Sequence, residues 1–343
     1  MNGSVNRGNY RPPINRRRRR DGERTVLWIV AIVLLIAVVT FAVLVGIELF
    51  RGEEDPVDIP NEEIPGPQKK FETADISVPT SDVHTGDLLL INEEHPYVFP
   101  EREPEMVPVL NGRESHGTSA SGNPIYSYYT QLGIDKCAKM DGKVLEIFQT
   151  WADDFYKATG NSDLFIFDED GYRTKDEQAA KYSSNPIDYA KAGATEHHTG
   201  KVIDLYVFTG KVTGKLDDEG FAHIFKWIYD NAYKYGFIHR YPDSKINVTG
   251  VDFEPYHFRY VGYPHAYYMY KNELCLEEYL DKVKTCTSDE PLEFRAEDGV
   301  NYMVYYVPAS EGGTTSLTVP AEYTYTVSGN NADGFIITVE VKK

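Results

Sequence analysis

Cysteine is scarce in this sequence, with only Cys137, Cys275 and Cys286 among 343 residues. An odd number leaves at least one thiol unpaired, so no disulfide framework is implied. If Glu273–Lys284 is helical, Cys275 and Cys286 lie about 16 Å apart along its axis, which is beyond the reach of a disulfide. Cys137 could in principle be the nucleophile of a cysteine protease. No neighbour in the sequence marks this thiol as activated, so we do not expect this activity.

Positive charge is scarce outside one short segment. Residues 1–24 contain eight arginines and two carboxylates, a net charge of +6, so the remaining residues must carry −24 to give the chain its −18. Proteins that bind nucleic acid neutralise its phosphates with lysine and arginine. The acidic body therefore argues against a nucleic-acid partner, in spite of the five consecutive arginines Arg16–Arg20.

One long run, Val26–Ile47, lacks charge over all of its 22 residues. A helix needs about 20 apolar residues to cross a bilayer, whereas the apolar part of a cleaved signal peptide has about 7–15. The sequence therefore predicts an uncleaved transmembrane helix within residues 26–50. Because arginine favours the cytoplasmic side, residues 1–25 are expected to form a basic cytoplasmic tail, and the rest of this single-pass membrane protein is expected outside the cell.

Three further segments differ in composition. Residues 51–86 are acidic and rich in proline, which predicts an extended linker. Residues 87–270 show the patterns of a folded domain, and the aromatic content of the whole chain, 13%, argues against general disorder. Residues 271–343 contain one helical pattern, around LCLEEYLDKV, and several short strand-like runs separated by turns. They predict a small C-terminal β appendage.

Hydrophobic periodicity predicts an α+β fold, in which helices accompany an antiparallel sheet. The expected strands are LLLIN, DLFIF, HTGKVIDLYVF and FEPYHFRYVG. The expected helices are MDGKVLEIFQTWADDFYKATG, KDEQAAKYSSN and FAHIFKWIYDNAYKYGF.

Two short clusters contain the residue types of a catalytic metal site. His197 and Asp204 lie in one cluster, and Glu254 and His257 in the other. A catalytic zinc commonly takes three His or carboxylate ligands, and a nearby free carboxylate can accept the proton of the attacking water. In a regular strand residues three apart point to opposite faces, so Glu254 and His257 converge only if the backbone turns at Pro255. Spacing alone leaves open that His257 is a hydrogen-bonded histidine of an aromatic strand.

Four blocks resemble the VanY-type zinc D-alanyl-D-alanine carboxypeptidases, which have a hedgehog/DD-peptidase-like fold. TEHHTGKVID is similar to the family's S-x-H-x-x-G-x-A-x-D, and EPYHFRYVG to its E-P-W-H-F-R-Y-V-G. GYRT with the following Gln178 resembles S-G-Y-R-S-x-x-x-Q, and NAYKYGFIHRYP resembles a helix-to-strand connection of the family. The blocks follow the family's order and span residues 164–262.

The resemblance implies a role for each matching position. His197, Asp204 and His257 match the zinc ligands, and Glu254 matches the catalytic base. Arg173 matches an arginine that steadies the substrate carboxylate or the developing oxyanion. Gln178 and Thr195 match positions near the substrate, and His198 lies at a variable position of the motif, so it is expected to be a bystander rather than a ligand.

The implied activity is removal of the C-terminal D-Ala from the peptide stems of peptidoglycan, with Zn²⁺ as cofactor. Thr195, Val202 and Tyr256 replace the family's Ser, Ala and Trp, and Asp170 replaces the Ser before the glycine, so none of the departures removes a ligand. Two alternatives stay open. The enzyme could be an L,D-carboxypeptidase acting on tetrapeptide stems, or the protein could bind cell wall without catalysis.

Overall fold

The computed structural model describes residues 72–341. In this range the α-helices are α1 (Gly142–Thr159), α2 (Lys175–Ser184), α3 (Ala222–Asn231), α4 (Ile246–Thr249), α5 (Tyr263–Lys271) and α6 (Leu276–Lys284). Short 3₁₀ helices span Thr80–His84, Glu196–Thr199, Ala232–Tyr235 and Asp243–Lys245. The strands are β1 (Thr73–Pro79), β2 (Val107–Pro108), β3 (Tyr128–Thr130), β4 (Lys139–Met140), β5 (Leu164–Ile166), β6 (Val202–Asp204), β7 (Tyr206–Phe208), β8 (Thr213–Lys215), β9 (Phe237–His239), β10 (His257–Tyr260), β11 (Leu292–Arg295), β12 (Asn301–Pro308), β13 (Thr314–Pro320), β14 (Thr324–Gly329) and β15 (Gly334–Val341).

Helix α1 forms one side of the main core. Asp141 caps its first turn by accepting the N–H groups of Lys143 and Val144, and Gly160 ends it in the left-handed conformation with φ 68°. Its apolar residues recur at helical spacing and are buried: Val144, Leu145, Phe148, Trp151, Ala152 and Phe155. This is the amphipathic helix that the sequence predicts.

The sheet that α1 covers has the strand order β6-β10-β9, with both pairs antiparallel. Trp151 stacks on Phe237 with ring centroids 5.1 Å apart and meets the edge of Phe258 at 5.2 Å. Because side chains alternate along a strand, the residues next to Phe258 point to the opposite face of this sheet. The polar face that results is where the candidate site lies.

A second sheet continues the core, with the order β3-β5-β7-β8. Its β3–β5 pair is parallel, whereas the other two pairs are antiparallel. The α+β prediction is confirmed, but the expectation of a wholly antiparallel sheet is wrong for β3–β5. The predicted single strand HTGKVIDLYVF is divided at Leu205 into β6 and β7, which belong to different sheets.

The C-terminal strands form a four-stranded antiparallel sheet, β11-β12-β15-β14, while β13 pairs with β1. Helix α6 and this sheet share one buried cluster with the preceding residues, in which Val261 and Met269 pack with Leu280 and Val304. The described residues belong to one compact unit. The core therefore crosses residue 270, where the sequence predicts the start of a separate appendage.

The start of the fold also differs from its prediction. The linker is predicted to extend to Gly86, but Thr73–Pro79 is a strand, because Ile76 and Val78 alternate along it and pack on the C-terminal core. The segment LLLIN is not a strand, although Leu88, Leu89 and Ile91 are buried. Its apolar side chains fill the core without sheet pairing.

The predicted transmembrane helix within residues 26–50 lies outside the described residues, as do the basic tail and the linker up to residue 71. Among the helices of residues 72–341, none is both long enough and apolar enough to cross a membrane. The three cysteines lie in the described range and are free and buried.

Candidate metal and catalytic site

The centre of the site is one cross-strand pair. The antiparallel register of β6 and β10 places Asp204 opposite His257. Ile203 and Leu205 enter the main core, so Asp204 points to the other face of the sheet, beside His257. The Oδ1 atom of Asp204 lies 3.0 Å from Nδ1 of His257.

His197 reaches this pair from the 3₁₀ helix Glu196–Thr199. Its Nδ1 atom is 2.6 Å from the carbonyl oxygen of Gly171, which can only accept, so the ring proton is assigned to Nδ1. Gly171 is needed there because a Cβ atom would lie 2.3 Å from the carbonyl oxygen of Lys139. The unprotonated Nε2 of His197 is 3.3 Å from Oδ2 of Asp204.

Burial and nearby charges drive the two histidines to opposite protonation states. Burial and the Arg173 guanidinium lower the pKa of His197 to about 4. Burial also disfavours the charged form of His257, but the Asp204 carboxylate outweighs it and raises the pKa of His257 to about 10. Burial would raise the pKa of Asp204, yet the two histidines lower it below its ordinary value. The cluster therefore favours a positive charge next to this carboxylate.

Glu254 borders the same cluster. The chain turns at Pro255 and Tyr256 just before β10, and the N–H of His257 donates to the carbonyl of Glu254 at 3.3 Å. This is the turn that the sequence requires for convergence, and it leaves Oε2 of Glu254 3.5 Å from Nδ1 of His257. The side chain is 28% exposed. Burial raises the pKa of Glu254, which makes the carboxylate a better proton acceptor.

Arg173 is held beside the ligand residues by three contacts. Its Nε donates to the carbonyl of Glu169 at 2.8 Å, its Nη1 donates to Oε1 of Gln178 at 3.1 Å, and its Nη2 is 3.0 Å from Nε2 of His197. Thr195 accepts the N–H of His197 at 3.4 Å. Gln178 and Thr195 thus contact Arg173 and His197, and the structure brings all the predicted site residues together.

The bystander His198 uses both ring nitrogens on the backbone. Its Nδ1 is 2.7 Å from the carbonyl oxygen of Arg173, and its Nε2 accepts the N–H of Gly193 at 3.0 Å. No lone pair is left for a metal. His197, by contrast, has Nε2 3.3 Å from Oδ2 of Asp204.

A group of charged residues behind His257 was missed by the sequence analysis. Glu196 is 1% exposed, and it accepts a hydrogen bond from Nε of Arg240 at 2.8 Å and lies 3.4 Å from Nη1 of Arg259. A signal was available, because Arg240 and Arg259 lie in or next to the aromatic and apolar segments FIHR and HFRY, which have the pattern of strands. A charge at such a position is rarely buried without a partner.

The residues present fit a zinc ion. One ligand atom from each of His197, Asp204 and His257 lies within 4.8 Å of the others. Tetrahedral zinc with N or O ligands at about 2.0–2.2 Å places neighbouring ligand atoms about 3.3–3.6 Å apart. Oδ2 of Asp204 lies 3.3 Å from Nε2 of His197, and Oδ1 lies 3.0 Å from Nδ1 of His257, so the three side chains are close to the spacing that one ion requires. Oδ1 of Asp204 is buried beside Nδ1 of His257. Two imidazoles and one carboxylate form a donor set typical of catalytic zinc.

Comparison with known proteins supports the same assignment. The VanY family model, described as D-alanyl-D-alanine carboxypeptidase, matches residues 143–263. A D-alanyl-D-alanine carboxypeptidase of Enterococcus faecium is 32% identical over 283 residues, which cover 82% of this chain and 84% of that protein. The chain belongs to the VanY family. The resemblance of the four sequence blocks is thereby confirmed, and the protein is a carboxypeptidase by family.

Two further relatives extend the VanY comparison. The bifunctional D-Ala-D-Ala dipeptidase and D-Ala-D-Ala carboxypeptidase VanXYC of Enterococcus gallinarum is 35% identical over 150 residues, which cover 40% of this chain and 76% of that protein. The structure of the D,D-dipeptidase VanXYg in complex with a D-Ala-D-Ala phosphinate analogue aligns with a TM-score of 0.62 and 27% identity, covering 78% of this chain and 99% of that chain. The fold is therefore shared well beyond the residues of the family model.

Proposed function

We propose that this VanY-family protein is a zinc-dependent D-Ala-D-Ala carboxypeptidase that removes the terminal D-Ala from peptidoglycan stem peptides. The observation that carries the proposal is the buried group of His197, Asp204 and His257, whose ligand atoms lie within 4.8 Å of one another, with Glu254 beside it. The substrate class is supported by the name of the Enterococcus faecium relative. It is also supported by the phosphinate analogue bound to VanXYg.

In this proposal His197 and Asp204 hold zinc together with His257. The chemistry that zinc supplies in such sites is acidification of a water molecule and polarisation of the scissile carbonyl. Glu254 accepts the proton of the attacking water, because its carboxylate borders the cluster and is not needed as a ligand. It then passes that proton to the amine of the leaving D-Ala.

Arg173 is the residue proposed to bind the substrate carboxylate or the developing oxyanion. Its Nη2 contacts the same His197 nitrogen, Nε2, that would ligate the metal. If Nε2 were a ligand, Nη2 would lose this partner and keep only the carboxylate of Asp204, 3.7 Å away, so it could bind a further acceptor. Glu169 and Gln178 still hold the other two nitrogens, so the guanidinium keeps its orientation.

The test is an assay of the full-length protein in detergent on a pentapeptide stem ending in D-Ala-D-Ala and on the matching tetrapeptide. We expect release of D-Ala from the pentapeptide, loss of activity with a chelator and recovery with Zn²⁺. Release from the tetrapeptide alone would replace the proposal by the L,D-carboxypeptidase alternative. No release from either peptide by the zinc-loaded protein would favour a non-catalytic wall-binding role.

We also propose that the protein is anchored in the cell membrane with its N-terminus in the cytoplasm and its catalytic residues outside. The support is the uncharged run Val26–Ile47 together with the arginines that precede it. An external location matches a peptidoglycan substrate. Protease added to intact protoplasts should digest the part of the chain that contains the catalytic residues. A tag fused to residue 1 should not be digested. A protected catalytic region would contradict the proposed orientation.

A further inference from the structure

The acceptor for the second ring nitrogen of His257 is a buried carboxylate. If His257 ligates the metal through Nδ1, the atom nearest Asp204, its proton must be on Nε2. Oε2 of Glu196 lies 3.6 Å from this Nε2. Both atoms are buried and neither has a hydrogen bond elsewhere in the described part of the chain. Carboxylates in this position orient metal-ligating histidines and raise their basicity.

Arg240 determines which oxygen of Glu196 is available. Its Nε donates to Oε1 of Glu196 at 2.8 Å, while its Nη1 and Nη2 donate to the two oxygens of Glu277 at 2.8 Å and 2.6 Å. The guanidinium is 1% exposed. Because Glu277 occupies both terminal nitrogens, Arg240 contacts Glu196 through Nε alone, and Oε2 remains for His257.

Glu277 lies in the first turn of α6, beyond the residues 143–263 that the family model matches. Without it, the two terminal nitrogens of Arg240 would be buried donors without acceptors, at a substantial free-energy cost. The nearest remaining carboxylate is Glu196. A guanidinium that turned to take both of its oxygens would remove the acceptor of His257.

We propose that Glu277 is a positioning residue for His257, acting through Arg240 and Glu196, so that the C-terminal region contributes to the metal centre. The inference rests on the proposed function, since it requires His257 to be a metal ligand. It gives a role at the site to a segment that holds no metal ligand of its own.

The test measures the dissociation constant of zinc for the full-length protein by competition with a chromophoric chelator, and the absorption spectrum of the cobalt(II)-loaded protein. Glu196→Gln should weaken zinc binding about 10–100-fold, the usual cost of losing such a partner. Glu277→Gln should weaken it about 3–10-fold and shift the cobalt spectrum, because Glu277 is two contacts further from His257 than Glu196 is.

Glu278→Gln is the matched control. It lies in the same helical turn but pairs with Lys245 and accepts the N–H of Cys275, without contact to Arg240. The zinc affinity of Glu278→Gln should stay within about twofold of the wild-type value. If both variants acted by destabilising the helix, Glu278→Gln would lose as much zinc affinity as Glu277→Gln. That outcome would overturn the inference.

The double variant separates coupling from simple loss of packing. If Glu277 acts through Glu196, the variant with both changes should bind zinc no more weakly than Glu196→Gln alone, while independent effects would multiply. Should Glu277→Gln fail to fold, Glu277→Asp keeps the charge and should give a smaller loss of affinity in the same direction. If a folded Glu277 variant binds zinc as tightly as the wild type, the role of Glu277 is refuted but the proposed function is not. If the wild-type protein itself binds no zinc, the proposed function is refuted.

Discussion

Two buried histidines, His257 and His265, differ in their neighbours and therefore in their protonation. His257 and His265 are 4% and 6% exposed. Asp204 raises the pKa of His257 to about 10 against the effect of burial. His265 contacts hydroxyl groups, with Nδ1 2.6 Å from Oη of Tyr279 and Nε2 3.1 Å from Oγ1 of Thr338, and burial lowers its pKa to about 4. Charged neighbours, rather than burial, distinguish a cation site from a structural histidine.

The largest effect is expected from removing the charge next to His257. Asp204→Asn should abolish stoichiometric zinc binding and reduce kcat/KM about 10³-fold or more, because zinc supplies several kcal/mol of transition-state stabilisation. Zinc content by atomic absorption and D-Ala release measure the two effects. Tyr279→Phe, which removes a partner of His265, is the control and should leave zinc bound. One zinc per chain in Asp204→Asn would show that the carboxylate is not a ligand.

A smaller loss is expected at the base. Glu254→Gln keeps the size of the side chain but cannot accept a proton, so kcat on the pentapeptide should fall about 10²–10³-fold. Zinc content should remain at one ion per chain, because Glu254 is not proposed as a ligand. A kcat within tenfold of the wild-type value would assign the proton transfer to another group.

Next comes Arg173, which borders His197 and is proposed to bind the substrate. Arg173→Lys keeps the charge but loses the planar fork that Glu169 and Gln178 hold in place, so kcat/KM should fall about 10²-fold with zinc retained. Gln178→Ala removes one of those supports and should have a smaller effect of the same kind. If Arg173→Lys binds and cleaves the pentapeptide normally, carboxylate or oxyanion recognition belongs elsewhere.

The smallest effect concerns stability in acid. Burial lowers the pKa of His265 from 6.5 to about 4, so below pH 6.5 the unfolded chain binds a proton that the folded protein does not. This contribution to stability is complete above about pH 6.5 and decreases by up to about 1.4 kcal/mol per pH unit as the pH falls towards 4. In the metal-free His265→Gln variant, the free energy of unfolding measured with denaturant should fall less steeply between pH 6.5 and 4 than in the wild type. An unchanged slope would mean that His265 is already charged when folded.

The positions of the candidate metal site were predictable because their chemistry restricts residue type. Gly171 and Arg173 could be matched by motif, and so could the His-Asp-His set, because few other side chains can ligate zinc. The turn before His257 followed from a geometric requirement of strand alternation. Long amphipathic helices such as α1 were equally clear, since their periodicity extends over several turns.

The pairings between distant segments were not predictable from the sequence. The local sequence of Thr73–Pro79 does not predict its partner strand, and the sequence around Glu277 does not predict the contact with Arg240. Both contacts depend on the tertiary fold. The segment LLLIN illustrates the same limit, since apolar residues specify burial without specifying sheet pairing. Likewise, the amino-acid composition does not predict that one buried core includes residues on both sides of residue 270.

The pairing of β1 with β13 has a consequence for the order in which the protein can fold. Pro79 pairs with Thr314 and Thr73 with Pro320, separations of 235 and 247 residues. During synthesis β1 is therefore made long before its partner and presents an unpaired edge for most of that time. Completion of the fold must wait for the end of translation, and a ribosome that stalls before residue 314 would leave a nascent chain open to aggregation at this strand.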